Sequence, residues 1–170
     1  MPICDYVLTL SKNNLEGGYM KNIKIRKYNS NDYQQVCRVH DLARRQEMII
    51  GGAEKYFEPL ESAMYREDFF SCEILVAVIS DKIVGFIATH PHELDYIYVD
   101  PAYQRKGIGK ALANAALSHL LRPVTLDVFV ENENAKCLYR SLGFKTVSVE
   151  YSQWYLDDPK KYSGEKMILE

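Results

Sequence analysis

The segment Gln104-Arg105-Lys106-Gly107-Ile108-Gly109 constrains this chain more than any other. It follows the alternating run Glu93 to Val99, which reads as a strand ending before Asp100-Pro101. It opens a helical run from Gly107 to Leu121, in which Ile108, Ala111, Leu112 and Ala115 recur at helical spacing until Pro123 stops it. A strand, a glycine-containing loop and a helix start, in that order, make a place for an anion. The first turn of a helix has free N–H groups and carries the positive end of the helix dipole. Glycine lets the backbone approach a ligand closely and take dihedrals that other residues avoid. Arg105, Lys106 and Lys110 add positive charge for phosphates. The dinucleotide fingerprint G-x-G-x-x-G is absent, and so is the G-K-[ST] ending of a P-loop. Taken alone, the spacing fits a pyrophosphate site and a glycine turn with solvated cations equally well.

The rest of the chain alternates between two periods. Ile23 to Arg26 reads as a strand, and Ser30 as the N-cap of a helix with Asp32 in its first turn. That helix presents Val36, Val39, Leu42 and Ala43 on one face and breaks at Gly51-Gly52. A second helix is expected over Glu61 to Phe69. Glu73 to Ile79 and Lys82 to Thr89 read as strands joined at Ser80-Asp81 in a hairpin. Val124 to Val130 is β-rich. Ala135, Leu138, Tyr139 and Leu142 form a helical stripe capped by Gly143, and Phe144 to Tyr151 and Lys166 to Leu169 read as the last strands. The order implies an α/β (α+β) domain: a mixed, mainly antiparallel twisted sheet of about six to seven strands with about four helices on both faces. The 170 residues suffice for one such domain with a sizeable core.

Residues 1–19 are read apart, as an N-terminal extension outside the native protein, with the domain spanning 20–170 and Met20 the native start. Glu16-Gly17-Gly18 can be encoded by a purine-rich stretch resembling a bacterial ribosome-binding site. The alternative is an arm that packs on the domain.

Two stretches carry a resemblance. Tyr96 to Leu112, containing Gln104-x-x-Gly107-x-Gly109, looks like the acetyl-CoA-binding motif of the GNAT N-acetyltransferase superfamily. Asn132-Glu133-Asn134-Ala135-Lys136-Cys137-Leu138-Tyr139-Arg140-Ser141-Leu142-Gly143-Phe144 is similar to that family's second motif. Both lie in the family's order, and the elements from Ile23 to Leu169 fit its fold. The resemblance implies a GNAT-like sheet and direct transfer of an acetyl group from acetyl-CoA, as cosubstrate, to a primary amine. It implies cofactor contacts from Ile97, Tyr98 and Val99, whose strand offers backbone groups to pantetheine amides, and from Gln104, Arg105, Lys106, Gly107, Ile108, Gly109, Lys110, Asn132, Ala135 and Tyr139.

Such a transfer needs a neutral amine, a donor for the leaving thiolate and a donor for the carbonyl oxygen. By resemblance, Tyr139 is the proton donor to the thiol, although it also lies on an apolar stripe. A backbone N–H near Val99 is the oxyanion donor. Asn132 touches the cofactor or caps its helix. Glu93 is the candidate base, because it precedes Gln104 by the interval of the strand glutamate of some relatives. The acceptor site is expected between Glu47 to Leu60 and Ser152 to Ser163, with Glu47, Tyr56, Trp154 and Asp157 as candidate contacts. Aromatic walls beside carboxylates suit a cationic amine of a small molecule or peptide. The alternatives are a protein N-terminal or lysine acyltransferase and an acyl-CoA sensor without activity.

Other classes are set aside on charge and spacing. A formal net charge of -2 is unlike a nucleic-acid binder. No apolar run is long enough to span a bilayer. Cys4, Cys37, Cys72 and Cys137 form no CxxC pair, which fits free thiols in a reducing compartment and a cytoplasmic location, while the family resemblance implies a bacterial enzyme. His90-x-His92 places two imidazoles on one strand face, but alternation turns Glu93 and Asp95 to the other, so no metal site is expected. Cys137 reads as packing. A homodimer suits the superfamily, with no interface marked in the sequence.

Overall fold

The computed structural model describes Leu8–Thr9 and residues 23–170. The proposed start at Met20, and most of the extension before it, lie outside the described residues. The strands are β1 (Leu8–Thr9), β2 (Lys24–Lys27), β3 (Glu73–Ile79), β4 (Lys82–His90), β5 (Glu93–Val99), β6 (Val124–Phe129), β7 (Lys145–Ser152) and β8 (Tyr162–Leu169). The helices are α1 (Tyr33–Ile50), α2 (Arg66–Ser71), α3 (Ile108–Leu117) and α4 (Glu133–Ser141). One sheet holds all the strands in the order β1-β2-β3-β4-β5-β6-β8-β7. Every pairing is antiparallel except β5 with β6. This is the mixed sheet expected from the sequence, with β1 added at its edge beside β2.

β3 and β4 read as continuous apolar runs because both faces of the sheet are covered. On one face, Val76, Phe86 and Tyr98 pack with Val36, Val39 and Ala43 of α1 and with Phe69 of α2. On the other, Leu75, Ile87 and Leu126 pack with Ile108 and Leu112 of α3 and Tyr139 of α4. Each such side chain, fully buried, contributes about 1.5 to 3 kcal/mol. A third cluster of Met48, Ala53, Phe129 and Tyr162 joins the end of α1 to β6 and β8.

The hairpin at Ser80-Asp81 forms as expected. Both residues take left-handed φ angles, 47° and 63°, which suits the twist of a two-residue β-hairpin loop. Five expectations are corrected. Asn29, not Ser30, caps the turn before α1, and its backbone N–H donates to Asp32 in a capping box. Leu42 is 45% exposed, so the apolar face of α1 is narrower than the spacing implied. Glu61 to Tyr65 is a run of turns, not helix; Asp41 accepts the Leu60 N–H and pins the buried Leu60 side chain there. α3 ends at Leu117, where the Ser118 hydroxyl donates to the Ala115 carbonyl. β8 starts four residues earlier than the apolar pattern shows, at Tyr162, because Ser163 and Glu165 are buried against polar partners.

Candidate active site

The parallel β5–β6 pair holds at one point, Glu93 opposite Thr125. Beyond it the two strands part, and β5 runs on with β4 alone. Asp100 N–H donates to the Val84 carbonyl. By alternation, the backbone groups of Tyr98 turn toward β4 and those of Ile97 and Val99 toward the gap. A cavity of about 520 Å³ fills that gap.

Its far end is built from two helix starts. Gly107, at φ 78°, and Arg105, at φ 61°, bend the loop into α3. Left-handed residues in such a loop turn successive N–H groups to one side, a shape that holds anions. The Asn132 side chain accepts the Ala135 N–H and caps α4, whose first turn opens on the same cavity. At Gly109 a Cβ would stand 3.3 Å from Leu138 and 3.8 Å from Val99, so glycine lets α3 sit close to both α4 and β5. Gln104 donates to the Val99 carbonyl at 3.1 Å and to Gln46 at 2.9 Å, fastening the loop to the strand and to α1. The loop's other anchor is Asp100, which accepts from Arg38 of α1 at 2.7 Å and from the Ala102 N–H at 3.0 Å.

The near end is a carboxylate among phenols. Ala43, Gln46, Glu47 and Ile50 line the cavity as an i, i+3, i+4, i+7 stripe of α1. Glu47 accepts from Tyr98 at 2.5 Å and from Arg44 at 2.7 Å. Burial raises the Tyr98 phenol well above its ordinary value, and the Glu47 charge adds to the effect. Tyr139 is buried and lines the same cavity; burial, then the Glu47 charge, pushes its phenol up as well. Both therefore stay protonated at neutral pH and can serve as donors.

The cavity brings together Glu47, Ile97, Tyr98, Val99, Gln104, Arg105, Gly107, Ile108, Gly109, Lys110, Asn132, Ala135 and Tyr139. Lys106 is not among its lining residues; its ammonium donates to the Ala102 carbonyl and lies over the Tyr103 ring. Glu93 sits at the joined end of β5, outside the cavity, near Asp95 and Asp127. An interval counted along the chain does not say which end of a strand faces a ligand. Tyr56, Trp154 and Asp157 gather elsewhere, next to the third core cluster. Tyr56 stacks on Tyr155 at 3.4 Å and donates to Asp157, while Trp154 stacks on Tyr162 at 5.5 Å. Arg44 and Gln46 were not among the residues expected at the site. The α1 stripe was the available signal for Gln46. Asn134 of the second motif accepts from Arg105 at 3.3 Å and lines the cavity beside Asn132.

A family model described as the Acetyltransferase (GNAT) family matches residues 37–144. The uncharacterized N-acetyltransferase YafP of Escherichia coli K12 is 29% identical over 136 residues, 75% of this chain and 85% of that protein. A mycothiol acetyltransferase of Saccharomonospora viridis is 36% identical over 109 residues, but the match spans 52% of this chain and 36% of that protein. Among solved structures, yncA of Salmonella typhimurium, with its cofactor acetyl-CoA, superposes with a TM-score of 0.66 at 16% identity over 88% of this chain and 94% of that one.

Proposed function

The chain belongs to the GNAT acetyltransferase family, and from that premise we propose that it moves an acetyl group from acetyl-CoA directly to a primary amine of a small molecule or peptide. Membership makes it an acyl-CoA-dependent acetyltransferase; the direct transfer, the amine and the residues below are the proposal. One observation carries it: a single cavity runs from the N-termini of α3 and α4, past the gap-facing backbone of β5, to Glu47 and Tyr139.

The residues fit the donor. Two helix starts with Arg105 and Lys110 suit its phosphates. Ile97 and Val99 present backbone groups to the amides of the pantetheine arm, as a neighbouring strand would. Bound acetyl-CoA supplies a thioester whose C–S bond is exchanged for the C–N bond of the product amide. The Val99 N–H donates to the carbonyl oxygen as negative charge grows on it. The Tyr139 phenol gives its proton to the departing sulfur. Glu47, the carboxylate inside the cavity, takes the amine proton in place of Glu93. Glu47 also attracts a cationic acceptor to the near end.

Thiol release from acetyl-CoA over a panel of amines tests the activity and its base. Tyr139→Phe and Glu47→Gln should each cut kcat by about 10²- to 10⁴-fold with acetyl-CoA affinity retained. Full turnover in Tyr139→Phe removes its role. Loss in Glu93→Gln with activity kept in Glu47→Gln returns the base to Glu93. A preference for acidic acceptors overturns the cationic site, and a thermal shift with acetyl-CoA but no turnover on any amine favours a sensor.

A further inference from the structure

β4 and β5 slip out of register between Ala88 and Thr89, so that Thr89 faces Leu94 and His90 faces Glu93. The slip breaks the alternation that would keep Asp95 away from His90. The Asp95 carboxylate accepts the His90 backbone N–H at 3.0 Å, and both of its oxygens lie 3.1 Å from His90 Nδ1. A third group arrives from another element. Cys72, which ends α2, places its sulfur 3.7 Å from the same nitrogen. A thiol, an imidazole and a carboxylate thus lie within 4.8 Å of one another.

Hydrogen bonding accounts for only one of the two contacts at Nδ1. Protonated, that nitrogen donates to Asp95 and has no lone pair for the thiol, whose S–H turns instead to the Asp68 carbonyl at 3.6 Å. Unprotonated, it accepts the S–H and turns a lone pair toward the carboxylate. A cation satisfies all three groups at once. With metal bonds of about 2.3 Å to sulfur and about 2.0 Å to nitrogen and oxygen, tetrahedral geometry separates S from N by about 3.5 Å and N from O by about 3.3 Å. The separations here, 3.7 and 3.1 Å, are close to that set.

We propose that Cys72, His90 and Asp95 bind a zinc-class divalent cation at the bulge of β4 and β5, with a fourth position open to water. The surrounding charge favours it. Asp95, Asp68 and Glu93 place negative charge around the Cys72 sulfur. A bound cation reverses that balance and holds the thiolate. The His90 side chain is 39% exposed and that of Asp95 15%, which leaves a path from solvent. One thiolate with one imidazole selects zinc or cobalt over magnesium or calcium. His92 is not part of the site; its Nδ1 lies by the Pro123 carbonyl. The expectation of no metal rested on strict alternation, which the bulge removes. The site lies at the joined end of β5, outside the cofactor cavity, and ties the end of α2 to two strands.

The full chain, stripped of metal, is titrated with Co²⁺ and then Zn²⁺ in excess Mg²⁺. We expect one equivalent bound, a thiolate-to-cobalt charge-transfer band with the visible bands of a tetrahedral centre, and loss of colour as zinc displaces cobalt. Cys72→Ser should abolish the thiolate band. His90→Ala should weaken Zn²⁺ binding more than about 100-fold, beyond what an outer hydrogen-bond partner is worth. His92→Ala and Cys137→Ser should leave both unchanged. If Cys72→Ser does not fold, the partly exposed His90 carries the test. No thiolate band in the natural chain, or a band and affinity that survive His90→Ala, overturns the proposal and leaves a hydrogen-bonded cluster or a different thiol.

Discussion

Asp32 joins three parts of the chain through one carboxylate. Arg26 of β2 donates to both of its oxygens, at 2.6 and 2.8 Å, and the Asn29 N–H donates at 2.9 Å. The Arg26 hydrogen bond, foremost, holds its carboxyl below the usual range. A depressed folded value means stability that is present above the unfolded value, near about 3.9, and lost as pH falls through the folded one. Asp32→Asn should therefore cost about 1 to 3 kcal/mol at neutral pH, and urea midpoints for the two chains should converge below about pH 4. A gap that stays constant with pH would show that shape, not charge, is what Asn replaces badly. Asp32 was legible as a helix-start acid, but its partner on β2 was not, since pairing across the fold leaves no local spacing. Tyr139 shows the reverse. Its stripe marked it as core and its motif as a donor. The structure packs it against Phe144 at 6.0 Å and lines the cavity with it.

At the scale of elements, what the sequence made plain was the interiors, and what it hid was the ends. The β3–β4 hairpin and the strand–loop–helix unit around Gln104 follow from local pattern. The start of β8 does not, because Tyr162, Ser163 and Glu165 are buried by a donor or acceptor brought from elsewhere: Asp158, Glu131 and Lys136. The loop before α3 depends on a dihedral that only glycine takes freely. Gly107→Ala puts a Cβ on a residue at φ 78°, at a cost of about 1 to 2 kcal/mol. The expected outcome is weaker acetyl-CoA binding by calorimetry with little change in the far-ultraviolet dichroism of the fold. Full affinity in Gly107→Ala would mean that the loop's curvature is not what holds the phosphates.

The whole sheet behaves as two parts meeting at one residue pair. β1 to β5 lie on one side and β6 to β8 on the other, and past Glu93 and Thr125 the ligand cavity separates them. A ligand that fills the gap should stabilise the molecule as a whole. At 100 times its Kd, acetyl-CoA adds about 2.7 kcal/mol, or about 5 to 10 °C in Tm for a chain of this size. Hydrogen exchange should slow at residues 97–99 and at the start of α3, with β3 little changed. Protection of β3 alone would place the ligand elsewhere. Local pattern does not mark the parting, since neither strand carries a residue that forbids pairing; only the family resemblance implies it. It also splits the work of β5 between its chain and its side groups. In the proposed complex the donor is held by peptide groups that every residue possesses. Tyr98 instead points its ring at Glu47, where the acceptor would enter. Exchanges at position 98 can then retune which amine is taken while the donor grip persists, so acceptor scope can diverge on an unchanging acetyl-CoA track.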